Sequence, residues 1–164
     1  MREPSRSRLL AVAERFQVPG IRLRYKRLRV PVRRRGWLLP RDNHLVPAHA
    51  DIQRKECLLP WPDTREKLYV HLHEKGHLLL GHFGRHWTRS PLLRKRYTRV
   101  REKPEHVYEY EAEMFAHRKM RESGISVPRR MTLCAKLYIQ MCITADERRG
   151  VRIDRRIRRW AFSV

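Results

Sequence analysis

An α+β fold is what this sequence predicts, with a small antiparallel sheet near the N-terminus packed against a histidine-bearing helix, a second glutamate-rich helix and C-terminal helices. Three observations lead there. Ile21-Arg22-Leu23-Arg24-Tyr25 alternates apolar and basic residues, the period of a half-buried strand. Beyond Pro62 the apolar residues recur at helical spacing, between start and stop signals that a helix requires. The chain has 164 residues, the size of one domain with a single core, and no internal repeat is visible. We therefore expect one domain over 1–164, with its core at about 20–121 and a basic helical extension at 122–164.

The elements follow in order. Ser5 or Ser7 caps a first helix that runs to about Phe16 with an apolar stripe of Leu9, Leu10, Val12, Ala13 and Phe16, and Val18-Pro19-Gly20 ends it. After the strand at Ile21, Trp37-Leu38-Leu39 and His44-Leu45-Val46 read as further strands parted by the turn-like Pro40-Arg41-Asp42-Asn43. A short extended piece is expected between Ile52 and Leu59. The first fifty residues carry 13 Lys and Arg against three acids, a net of +10, so this sheet should have one arginine-rich face. Asp63-Thr64-Arg65-Glu66 begins a helix that runs to Leu80 and stops at Gly81. A basic loop spans Arg85 to Arg101, and a second helix covers Glu105 to Arg121, closed by Gly124. Met131 to Ile143 is an apolar-rich helix. Asp146 to Phe162, with Val151, Ile153, Ile157 and Trp160 among arginine pairs, reads as a last, basic amphipathic helix.

Composition narrows the partners. Charged residues make up 34% of the chain, and 39 Lys and Arg against 17 Asp and Glu give a net charge of +22. A field of that sign attracts polyanions and acidic proteins, so non-specific contact with nucleic acid through the basic surface is one expectation and a merely solvated surface the other. No segment approaches the roughly 18 uncharged apolar residues of a membrane span. The run Leu9 to Ala13 is cut off by Glu14-Arg15, too short for a secretory core. Three cysteines without CxxC spacing suggest thiols of a reducing compartment. The expected location is the cytoplasm, with no membrane partner.

The chemistry is concentrated in His73-Glu74-Lys75-Gly76-His77. Residues i and i+4 project from one face of a helix, so His73 and His77 present two imidazoles to one point, as two ligands of a tetrahedral zinc ion would. Glu74 stands beside such a metal, placed to take a proton from a coordinated water and pass it to a leaving amine. The flanking Leu68-Tyr69-Val70 and Leu78-Leu79-Leu80 bury the helix, and two buried histidines on one face need partners. Gly76 costs about 1 kcal/mol relative to Ala inside a helix, so another backbone should approach closely there. A third ligand is expected from Glu109-Tyr110-Glu111-Ala112-Glu113-Met114-Phe115-Ala116, where Glu109 and Glu113 share a face and Ala112 and Ala116 permit tight helix crossing. The remaining histidines (His44, His49, His71, His82, His86, His106, His117) lack matching geometry and read as surface or core. Tyr108, Tyr110, His106 and His117 are candidates for a transition-state donor.

Leu72-His73-Glu74-Lys75-Gly76-His77-Leu78-Leu79-Leu80-Gly81-His82 resembles the HELGHLLLGH signature of the ImmA/IrrE family of zinc metallopeptidases, and Glu109 to Ala116 resembles that family's second motif, E-x-E-A-[ND]-x-F-A. The likeness spans roughly residues 20–121 and is specific in those two segments. It implies a zincin-like core in which Zn2+ is held by His73, His77 and Glu109, with Glu111 in reserve, Glu74 as general base, and Glu113 orienting a ligand histidine. It further implies a protein substrate, a DNA-bound helix-turn-helix repressor of a phage or mobile element. Three departures stand out: Lys75 replaces an aliphatic residue and is expected to snorkel outward, Glu113 replaces Asn or Asp, and no Leu-Leu-x-Pro follows. Two readings of other classes are a basic nucleic-acid-binding regulator with a degenerate or structural metal site, and a zinc hydrolase of non-peptide bonds.

Overall fold

The computed structural model describes residues 4–18, 22–26, 49–51, 56–82 and 103–163. Helices α1 (Arg6–Arg15), α2 (Arg65–Leu79), α3 (Glu105–Glu122), α4 (Arg129–Arg148) and α5 (Arg155–Phe162) account for most of it, beside strands β1 (Arg22–Lys26), β2 (His49–Asp51) and β3 (Glu56–Pro60). The expected α+β fold with a small antiparallel sheet is thereby corrected: the described chain is mostly helical. Its strands form only a short strip in the order β1-β3-β2. β3 pairs in parallel with β1, from Arg22 opposite Glu56 to Lys26 opposite Pro60, and antiparallel with β2. The physical reason is that period-two alternation marks a half-buried strand but not its partner's direction, and a long connection such as that from β1 to β3 permits parallel pairing. The strands expected at Trp37–Leu39 and His44–Val46, and the basic loop, lie outside the described residues.

Local chemistry accounts for the helix ends. Ser5, Thr64 and Asp154 each accept from a backbone N–H of the following first turn, at 3.3 Å from Arg8, 3.2 Å from Lys67 and 2.7 Å from Arg156. The single basic helix expected over Asp146–Phe162 is two pieces. Gly150 takes φ +72°, Val151 N–H closes back on the Asp146 carbonyl at 3.0 Å, and Asp154 caps a new helix.

Helix α3 is the centre of the packing. On one side, Ala116 and Met120 bury against Leu9, Val12 and Ala13 of α1 and Leu68, Tyr69 and Leu72 of α2. On the other, Tyr110 joins Ile139 and Ile143 of α4 and Ile157 and Ala161 of α5. The 122–164 extension therefore completes a second apolar cluster on the helix that carries the glutamates. Where α2 crosses α3, a Cβ added at Gly76 would lie 3.2 Å from the Ala112 Cα and from Phe115 Cδ1. Glycine is required there because the two backbones touch. The expected outward course of Lys75 is corrected too: it is fully buried, and its Nζ donates to the Ala13 carbonyl of α1 at 2.6 Å. A carbonyl left free near the end of α1 satisfies the ammonium inside the fold, which sequence spacing does not reveal.

Candidate metal centre

The close crossing at Gly76 and Ala112 sets two columns of side chains face to face. On α2, Tyr69, His73 and His77 stack at intervals of four. On α3, Glu109, Glu113 and His117 do the same, running the opposite way. The pairs that result step along the seam: Tyr69 Oη donates to Glu113, His73 lies between Glu113 and Glu109, and His77 faces Glu109.

At the open end of this ladder, one ligand atom from each of His73, His77 and Glu109 lies within 4.8 Å of the others, so this group can hold a metal ion. His73 Nε2 is 3.3 Å from Glu109 Oε2 and 3.1 Å from His77 Nε2, and His77 Nε2 is 3.6 Å from Glu109 Oε1. Three electron-pair donors converge with no apolar group between them, and they do so at partial exposure, 18%, 20% and 15%. That combination suits a cation reachable from solvent. The electrostatics agree. Burial pushes Glu109 up, but the two imidazoles outweigh it and hold the carboxyl well below its usual range. Burial pushes His73 down, but Glu109 and Glu113 outweigh it and hold the ring well above its usual value. A positive charge is thus wanted in this pocket, and here a proton on His73 supplies it.

Glu113 is fully buried behind His73, with Oε2 3.6 Å from His73 Nδ1 and Oε1 2.8 Å from His117 Nε2. The Nδ1 edge of His73 thus faces a carboxylate while its Nε2 faces the three-atom group. Burial and then Glu113 push Tyr69 far up, so its hydroxyl keeps its proton and donates. Glu111 points elsewhere: its Oε2 meets His82 Nε2 at 2.9 Å, and Lys103 Nζ reaches both carboxylate oxygens at 2.5 and 2.7 Å. Glu74 is half-buried on α2, and its charge acts on His73.

Three features escaped sequence reasoning. His82 is not remote: Gly81 adopts φ +71°, His82 N–H bonds back to the His77 carbonyl at 2.9 Å, and the two rings meet with Nδ1 atoms 3.1 Å apart. The signal was present in Gly81, a helix stop that folds the next residue back over the last turn. Burial and then the charge of His77 hold His82 down to about 4, so its ring is neutral near pH 7. Second, α4 packs on α3 close enough for the Glu109 carboxylate to act on two of its side chains. Burial, then the Glu109 carboxylate, push Tyr138 up and push the Cys142 thiol up to about 12. Third, the candidate donors have other partners. Tyr110 meets Trp160 edge-to-face, His106 Nδ1 bonds Asp146 at 2.6 Å, His117 serves Glu113, and Tyr108 leans on the His82 ring. Comparison of the chain with protein-family models, curated proteins and solved structures returned no match. Among the described residues, no helix is long and apolar enough to cross a membrane.

Proposed function

We propose that this protein is a zinc-dependent endopeptidase. The observation that carries the reading is the convergence of His73, His77 and Glu109 at partial exposure, with Glu74 on the same helix beside them. Two imidazoles and one carboxylate suit zinc, and three protein ligands leave a coordination position for water or substrate. Bound there, the ion would supply Lewis acidity, lowering the pKa of a coordinated water and polarising the scissile carbonyl. The chain's own residues do the rest. Glu74 takes the proton of the attacking water and hands it to the leaving amine. Glu113, held by Tyr69 and His117, sets its charge 3.6 Å from His73 Nδ1 and favours the orientation that turns Nε2 toward Glu109.

The substrate follows from the resemblance to the ImmA/IrrE family and from charge. A helix-turn-helix repressor of a phage or mobile element, bound to DNA, is a polyanionic complex, and a protein of net charge +22 is drawn to it. A structural metal site in a nucleic-acid-binding regulator is the competing reading, and it would need four protein ligands and no adjacent carboxylate.

Glu74→Gln separates the two. The variant should bind zinc like the parent and lose proteolysis of a co-expressed repressor by at least about 100-fold, the scale of general acid–base assistance. Full cleavage by Glu74→Gln would end the peptidase reading.

A further inference from the structure

His77 is the ligand whose second nitrogen has a partner the zinc reading does not use. Its Nε2 belongs to the three-atom group, and its Nδ1 lies 3.1 Å from Nδ1 of His82. Of two ring nitrogens at that distance, one carries a proton and donates while the other accepts. His82 Nε2 lies 2.9 Å from a Glu111 oxygen, an acceptor, so His82 carries its proton on Nε2 and leaves Nδ1 as a lone pair. Among the described residues that lone pair accepts from His77 Nδ1–H, and with its proton there His77 turns a bare Nε2 toward Glu109 and His73. Lys103 Nζ, on both Glu111 oxygens, anchors the far end. The His82 side chain is 1% exposed, so water does not compete for the contact.

Resting on the metal-centre reading, we propose that His82 and Glu111 form a relay that sets the tautomer and orientation of His77 for metal binding. Glu113 faces His73 Nδ1 at 3.6 Å, so each ligand histidine has a carboxylate behind it, one acting by charge and one through a second imidazole. The turn at Gly81 is what makes the indirect arrangement fit, since it returns His82 to the final turn of α2. His82 is in this account a positioning residue: it touches neither metal nor substrate.

The test is zinc affinity of the full chain, measured with Zn2+ alone against a competing chelator, for the parent, His82→Ala, Glu111→Ala and the double variant. Loss of a partner that orients a metal-bound histidine typically weakens binding about 10–100-fold. We expect that loss in each single variant and no further loss in the double, because both act through one chain of hydrogen bonds. Nitrogen-15 NMR of the zinc-loaded parent should show His77 protonated at Nδ1, with that proton exchanging rapidly with solvent in His82→Ala. Should His82→Ala fail to fold, Glu111→Ala carries the same expectation from a half-exposed position. A parent that binds zinc while both variants bind it equally well overturns the relay and leaves the metal centre standing. A parent that binds no zinc overturns both.

Discussion

Two histidine–carboxylate assemblies sit on α3 within one turn of each other, and they are built for opposite ends. At Glu109 three donor atoms from two helices converge at partial exposure, with a surplus of electron pairs. At His106, one imidazole meets one carboxylate, Asp146 of α4, at 0% and 1% exposure. That carboxylate is saturated, since it also accepts from the His106 backbone N–H and from Arg149. Residue type is the same in both. Convergence and access separate a candidate site from a fastener: the first leaves a positive charge to be supplied from outside, and the second has supplied its own.

Alanine substitution should separate the two assemblies most clearly. Removing His106 leaves Asp146 buried with part of its partnership gone, a loss of about 3 kcal/mol or more, read as a lower denaturation midpoint with zinc affinity unchanged. Removing His77 should do the reverse, leaving the midpoint of the metal-free protein near the parent's and weakening zinc by more than about 100-fold, on the scale of losing a direct ligand. Equal effects on both readouts would erase the distinction. Gly76→Ala is an intermediate case. The added methyl meets α3 backbone at 3.2 Å, so the helices must part by a few tenths of an ångström. Overpacking of this kind costs about 1–3 kcal/mol, and zinc affinity should fall with it because His73 and Glu109 sit on the two helices being separated.

The smallest effect is that of pH. In the metal-free protein the His73 pKa is raised above 6.5 by Glu109 and Glu113 against the pull of burial, so the ring is protonated at neutral pH. Binding a metal requires the bare nitrogen, so one proton leaves on binding. Zinc affinity should therefore rise with pH, about tenfold per unit for one proton, and level off above the raised pKa. A flat profile through neutrality would mean that no proton leaves His73 when zinc binds.

What was legible in the sequence was what helical geometry fixes locally. The four-residue spacing of His73 and His77, the run Glu109 to Ala116, the glycine at a crossing and the capping residues all depend on neighbours within a turn or two. What was not legible depended on partners far along the chain or on a change of direction. Lys75 is buried because Ala13, 62 residues earlier, offers a carbonyl. His82 faces the site because Gly81 reverses the chain, and an i+5 spacing on a continuous helix would have sent it aside. β1 runs parallel to β3 because alternation is silent about direction. Tyr138 and Cys142 approach Glu109 through the packing of α4 on α3, which no motif encodes.

His73, His77 and Glu109 are proposed to be one metal centre. Its most direct test is the zinc stoichiometry and affinity of the purified chain beside Glu109→Ala. One zinc per parent chain is expected, with an affinity reduced by more than about 100-fold when the third ligand is removed. A parent without zinc, or a Glu109→Ala variant that holds it as tightly, would contradict it.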